Sequence, residues 1–106
     1  MDITTDITAE GGTLVLHGAF DVRSTWEVRD AIYALLDAGE TSVVIDMSDV
    51  STIDLTALRL LAVATRRAWL TGQHLTVRNP GPAVRRLAHL ARLAHALEVE
   101  KVAATA

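Results

Sequence analysis

The sequence predicts a small α/β domain, and three observations lead to that class. First, residues 43–45 read Val-Val-Ile, an unbroken β-branched run that is typical of a short strand covered on both faces. Second, Asp46 marks where that strand leaves the core, and helical spacing of apolar residues begins after Asp54. Third, strand, loop and helix follow one another directly, and 106 residues suffice for a single domain spanning residues 1–106.

Composition restricts the classes of function. Half of the residues are apolar, but no apolar run approaches the roughly 20 residues that cross a bilayer. No basic and apolar leader opens the chain, so we expect a cytoplasmic protein without direct membrane insertion. The sequence has no cysteine, which excludes disulfides, thiolate zinc sites and cysteine nucleophiles.

Charge is divided unevenly along the chain, whose net charge is -3. Residues 1–54 hold eleven acids and two arginines, whereas residues 55–106 hold eight bases and two glutamates. Because the two halves interleave in an α/β fold, we favour mutual neutralisation across the surface over two charged poles.

A hairpin and a helix are predicted before the central stretch. Residues 2–8 and 13–18 read as strands, with Glu10-Gly11-Gly12 as the turn between them. Ser24 and Glu27 have the spacing of a capping box and open the helix. The residues predicted to face the core from this helix are Val28, Ile32, Leu35 and Leu36.

Two aromatic residues of the first helix lie on a different stripe from that core face. Trp26 and Tyr33 are seven residues apart. Aromatic side chains anchor interfaces with little loss of entropy, which favours contact with a partner. Packing beneath a neighbouring loop is an equal alternative, and the sequence leaves both open.

Four further segments are predicted after Asp54. A helix that is apolar around much of its circumference ends at Gly72, and we expect it to be the most buried helix. Residues 74–78 are predicted to form a strand and residues 79–82 a turn before the next helix. Residues 97–102 either form a short edge strand, which we favour, or extend that helix. The apolar faces comprise Leu58, Leu61, Ala62 and Trp69 in the earlier helix and Val84, Leu87, Ala88, Leu90, Ala91 and Ala94 in the later one.

Catalytic chemistries are less well supported than binding. Asp46, Asp49 and Asp54 could hold magnesium, but aspartates beside a turn or a helix start more often satisfy backbone amides. Gly11-Gly12 lacks the spacing of a phosphate loop, and no histidine stands in a catalytic motif. The acidic net charge argues against nucleic acid. We therefore expect no enzymatic activity, no metal and no cofactor.

The central stretch carries a family resemblance. Loops beyond the carboxyl ends of strands meet partners in open α/β sheets, which makes residues 46–57 the expected functional rim. Residues 46–58 read D-M-S-D-V-S-T-I-D-L-T-A-L and resemble the signature of STAS domains, the sulphate-transporter and anti-sigma-factor-antagonist family. Two positions depart from it: Leu55 stands where phosphorylatable members carry serine, and Ala57 where they carry glycine. Further resemblance at residues 18–21 and 75–87 extends the likeness over nearly the whole chain.

The resemblance implies a small mixed β-sheet with the helices mainly on one face. It implies a bacterial module of transcription regulation and signal transduction that binds an anti-sigma factor or a serine kinase of the histidine-kinase-like ATPase fold. The alternative is a STAS subunit of a membrane transport complex, of the lipid-importer or anion-transporter type. The contact residues that the resemblance implies are Asp21, Ser24, Ser48, Asp54, Leu55, Thr56 and Arg59.

Position 55 bears on regulation. Leu55 has no hydroxyl group, so we expect the serine phosphorylation of the resembled members to be absent. Thr56 is the only hydroxyl left within D-L-T-A, and it is the candidate phosphorylation site. The alternative reading of Thr56 is a plain capping threonine.

Overall fold

A computed structural model describes residues 1–100 and contains a four-stranded mixed sheet with three helices. The β-hairpin comes first along the chain, and each later strand is followed by a helix. The elements are β1 (Asp2–Thr8), β2 (Gly11–Phe20), α1 (Thr25–Asp37), β3 (Ser42–Ile53), α2 (Leu55–Leu70), β4 (His74–Arg78) and α3 (Pro82–Leu90). Within the described residues, no helix is long and apolar enough to span a membrane.

The strands lie in the order β1-β2-β3-β4. β1 pairs antiparallel with β2, and β3 runs parallel to both β2 and β4. Helices α1 and α2 make the two connections between parallel strands, as parallel pairing requires. The predicted α/β class, with a small mixed sheet and the helices mainly on one face, is confirmed.

β3 differs from its prediction in length and in burial. It does not leave the sheet at Asp46 but continues to Ile53, which pairs with Phe20 of β2. The pairing with β2 shifts register near His17 and again near Gly18, and such bulges let a strand carry extra residues without ending. Burial alternates along β3, so Val44 is half-exposed and the prediction of a strand covered on both faces was wrong.

The hairpin is confirmed, but its two glycines lie in β2 and not in the turn. Gly11 pairs with Thr8, which leaves Ala9-Glu10 as the connection. A Cβ atom at Gly11 would lie 2.2 Å from the carbonyl oxygen of Ser42, and one at Gly12 would lie 2.9 Å from Leu35 Cδ1. The glycines therefore allow β3 and α1 to approach this end of β2.

The helical core faces agree in part with the sequence. In α1 the four predicted residues are all buried. In α2, Leu58 and Leu61 are buried, but Trp69 is 69% exposed, and Val63 and Leu70 are also exposed. α2 nevertheless has more buried residues than α1 or α3, in agreement with the expectation that it is the most buried helix, although part of its apolar circumference faces solvent.

The end of the described chain also departs from its prediction. α3 stops at Leu90, because Arg92 adopts a φ of 59° and the backbone turns back through a 2.8 Å hydrogen bond from Leu93 N to Ala88 O. In place of the predicted edge strand, residues 97–100 form an isolated parallel bridge between Val99 and Val77. Residues 101–102 of that prediction lie outside the described part of the chain.

The close approach at Gly11 generates a prediction. Gly11→Ala places a methyl group against the Ser42 carbonyl at a φ of +139°, so the free energy of unfolding should fall by at least about 2 kcal/mol. Gly81→Ala is the matched control, because its Cβ would meet open space, and it should cost less than about 1 kcal/mol. Urea unfolding of the two variants compares these values, and equal losses would contradict the packing described.

Candidate functional site

Asp54 joins the start of α2 to the loop that precedes α1. It is the N-cap residue of α2, and its Oδ1 accepts a 2.9 Å hydrogen bond from the Ala57 backbone N–H. Its Oδ2 accepts a 2.9 Å hydrogen bond from the Val22 backbone N–H. The Asp54 N–H in turn donates to the carbonyl oxygen of Phe20, at 3.2 Å. The capping role that the sequence suggested for Asp54 is therefore present, with a second bond that the sequence did not suggest.

The loop before α1 is held by Asp21. Its carboxylate accepts the Arg23 backbone N–H at 3.0 Å and the Arg23 Nη2 at 2.7 Å. Hydrogen bonds from the Arg23 side chain hold the pKa of Asp21 below its ordinary value, so this carboxylate stays ionised at neutral pH. The Arg23 side chain itself is 80% exposed, so the loop presents a cation to solvent.

Ser24 has a structural role in the same loop. It is 4% exposed, and its hydroxyl oxygen accepts the Asp21 N–H at 3.2 Å while lying 3.3 Å from the Ala19 carbonyl oxygen. The predicted capping box with Glu27 was wrong, because Ser24 has helical dihedral angles and its side chain caps no amide of α1. Ser24 thus shapes the loop from within.

The first five residues of α2 include three further predicted contact residues. Leu55 is half-buried, whereas Thr56 and Arg59 are exposed. Thr56 lies at the second helical position and Arg59 almost one turn further along. Asp21 and Ser24 are hydrogen-bonded to each other, Asp54 bonds the adjacent residue Val22, and the first turn of α2 begins directly after Asp54.

Ser48 belongs to a different group of side chains. Its backbone N–H and its hydroxyl both donate to Asp46 Oδ1, at 2.9 and 2.6 Å. Asn79, in the turn after β4, donates to the Ser48 hydroxyl oxygen at 3.0 Å. The predicted contact residue Ser48 is thus tied to β4 and its turn, and no hydrogen bond links it to Asp54.

The three aspartates that the sequence offers as magnesium ligands each have a different partner. Asp46 bonds Ser48, Asp54 caps α2, and Asp49 Oδ2 lies 3.0 Å from His17 Nδ1. Among residues 1–100, no group of three histidine, aspartate or glutamate side chains is arranged to hold a metal ion.

A groove between α1 and α2 lies beside this first turn. Its volume is about 360 Å³, and Thr56 and Arg59 line it together with Trp26. Trp26 is 62% exposed, whereas Tyr33 is half-buried beneath the Arg67 guanidinium, 4.0 Å from its ring centroid. Both aromatics line the same groove, Tyr33 packs against a helix and not beneath a loop, and contact of Trp26 with a partner stays a prediction. Val63, also at the groove, was missed because the apolar pattern assigned that side of α2 to the core.

Comparison with known proteins gives the family. A family model described as "Mlab, STAS domain" matches residues 3–101. This match covers nearly the whole chain, so the protein belongs to the STAS domain family. No curated protein matches the sequence at a significant level.

Solved structures share the fold. An anti-sigma factor antagonist from Mycobacterium paratuberculosis is 22% identical, with a TM-score of 0.83 over 95% of this chain and 86% of that one. The anti-sigma factor antagonist SpoIIAA in its unphosphorylated form is 16% identical, with a TM-score of 0.73 over 96% of this chain and 90% of that one. A sulfate transporter family protein from Wolinella succinogenes is 18% identical, with a TM-score of 0.64 over 80% of this chain and 69% of that one.

The two hydrogen bonds to Asp54 generate a prediction. Asp54→Ala removes the helix cap and leaves the Val22 N–H without its carboxylate, so the free energy of unfolding should fall by roughly 1 to 3 kcal/mol. Asp49→Ala is the control, since it removes an exposed carboxylate paired with His17 and should cost less than about 1 kcal/mol. Thermal and urea unfolding measure both, and a larger loss at Asp49 would show that Asp54 does not hold the site.

Proposed function

We propose that the protein is a non-catalytic regulatory module that binds an anti-sigma factor or a related serine kinase of the histidine-kinase-like ATPase fold. Membership of the STAS family and the likeness to two anti-sigma factor antagonists support this class of function. In this proposal the protein acts in the cytoplasm of a bacterium, in the regulation of transcription.

The observation that carries the proposal is the surface that Asp54 positions. Its carboxylate fixes the α1 loop against the first turn of α2, where Thr56 and Arg59 are exposed. Trp26 and Val22, each 62% exposed, lie on the α1 side of this surface. An aromatic anchor beside an arginine is the composition that interface hot spots favour. The partner-binding surface is therefore the loop, the first turn and the α1–α2 groove together.

The site favours binding over catalysis. The hydroxyl of Ser24 faces backbone groups and that of Ser48 bonds Asp46, so neither meets a histidine base. His17 pairs with Asp49 and lines a pocket with Ser24, but among residues 1–100 no hydrogen bond joins its ring to the Ser24 hydroxyl. We accordingly assign Asp54 a positioning role and Arg59 a direct contact with the partner.

Regulation of this binding depends on positions 55 and 56. Leu55 offers no phosphate acceptor, and its half-buried side chain adds apolar contact at the edge of the surface. We propose a binder that phosphorylation at position 55 cannot release. Thr56 is the remaining acceptor, and a phosphate there would add about -2 charges next to the Asp54 carboxylate.

A second candidate function is a STAS subunit of a membrane transport complex. The likeness to a sulfate transporter family protein supports it. The contact surface would be the same, but the partner would be a transporter component and not an anti-sigma factor.

Affinity purification from the native host, followed by mass spectrometry, separates the two candidates. Recovery of an anti-sigma factor or an ATPase-fold kinase is expected, and Arg59→Glu should weaken binding of that purified partner by at least about tenfold. Arg86 is an exposed residue of α3, so Arg86→Glu makes the same change of charge away from the proposed surface and should leave the affinity unchanged. Recovery of transporter components would favour the second candidate. Equal effects of the two substitutions would contradict the proposed surface.

Replacement of Leu55 tests the regulatory proposal. Leu55→Ser should create phosphorylation at position 55 by a partner kinase with ATP, and binding should become reversible by ATP. Phosphate mapping by mass spectrometry and titration of the partner measure the two effects. The wild-type protein should show no phosphate at position 55 and no release by ATP. Release of the wild-type protein by ATP, abolished by Thr56→Ala, would show that Thr56 serves as the switch.

A further inference from the structure

The outer face of α2 is a continuous exposed line of side chains. Its members are spaced three, four, three and four residues apart, which places them on one side of the helix. We call this line the α2 ridge, and it consists of Thr56, Arg59, Val63, Arg66 and Leu70. Val63 and Leu70 are 59% and 61% exposed, although both are apolar. Seven residues separate the two apolar members, and seven separate the two arginines.

The ridge is cationic within an acidic protein. The sixteen residues of α2 include three arginines and no acidic residue. Arg67 is neutralised by Asp37, with Nη2 3.1 Å from Oδ1, whereas neither Arg59 nor Arg66 forms an ion pair within residues 1–100. The ridge therefore offers two arginines to an approaching molecule.

A groove runs along each side of the ridge. On one side is the α1–α2 groove, which holds Trp26. On the other is a groove of about 600 Å³ between α2 and residues 95–98, which holds Trp69. Val63 lines both grooves, and the two tryptophans are 62% and 69% exposed. Apolar surface thus extends from the ridge into a depression on either side.

We propose that the α2 ridge docks an amphipathic helix of the partner protein, whose apolar seam is flanked by aspartate and glutamate. The inference rests on the proposed function and adds the chemistry of the partner segment. The ridge is about 21 Å long at 1.5 Å per residue, the length of a four-turn helix. Apolar residues seven apart match the seam of a helix packed along α2, and the arginines select acidic flanks and repel basic ones.

A synthetic helix tests this chemistry without the natural partner. The probe is a fluorescein-labelled peptide of about 21 residues, with leucines alternately three and four apart and glutamates beside them. Its control is the same peptide with every glutamate replaced by lysine. Fluorescence anisotropy should show saturable binding of the acidic peptide to the full-length protein, at least about tenfold tighter than the lysine peptide.

Variants locate the peptide on the protein. Arg66→Glu should lower the affinity of the protein for the acidic peptide by at least about tenfold, and Arg86→Glu should leave that affinity unchanged. The chain has two tryptophans, so Trp26→Phe leaves Trp69 as the only indole reporter. In that variant the peptide should shift Trp69 emission to shorter wavelength, because the indole becomes less hydrated.

Several results would overturn the inference. One is equal binding of the two peptides, and another is an unchanged affinity in Arg66→Glu. Binding of anionic phosphatidylglycerol vesicles but not the peptide would assign the ridge to a membrane surface. Concentration-dependent dimerisation that Leu70→Asp abolishes would assign it to a second copy of the chain.

The inference and the proposed function fail separately. If the purified anti-sigma factor binds and depends on Arg59 but the acidic peptide does not bind, the partner uses the first turn alone. If the acidic peptide binds but purification recovers no anti-sigma factor or kinase, the ridge serves a different class of partner.

Discussion

The carboxylate of Asp54 accepts one hydrogen bond from its own helix, at Ala57, and another from Val22, 32 residues earlier in the chain. β2 and β3 are parallel, and Phe20 lies opposite Ile53, so the two strands leave the sheet side by side. Hydrogen bonds to an ionised acceptor are roughly twice as strong as neutral ones. The α1 loop and the first turn of α2 are therefore held in one fixed arrangement by a single side chain.

This constraint has consequences for recognition. A surface that is already ordered loses less conformational freedom on binding, so more of the contact energy appears as affinity. Exposed apolar side chains of α1 and α2 lie beside the fixed loop and first turn, and the arginines of α2 add positive charge there. Leu55 has no hydroxyl group to accept phosphate, so in the proposed function the fixed geometry of this surface, and not a covalent switch at position 55, governs binding.

The sequence was informative where a residue's role depends on its near neighbours. The core face of α1 follows from its helical period, and Asp54 was a recognisable cap because a helix starts directly after it. The bond from Asp54 to Val22 was not predictable, since it depends on the register between β2 and β3. The only local signal for the bulges that carry β3 to Ile53 is Gly18, which lies at one of the register shifts with a φ of 102°. Arg92 ends α3 in a left-handed conformation that usually belongs to glycine. Apolar residues on the solvent-facing side of α2 cannot be distinguished from core residues by helical periodicity alone.

Hydrogen exchange at the Val22 and Ala57 backbone amides tests most directly whether Asp54 holds the two segments together. Measured by NMR on the wild-type protein and on Asp54→Ala, both amides should be protected in the former. They should lose protection together in the latter, while the core amides of β2 stay slow. Exchange of Val22 at the rate of an unprotected loop amide in the wild-type protein would contradict the account, because the α1 loop would then be free of the Asp54 carboxylate.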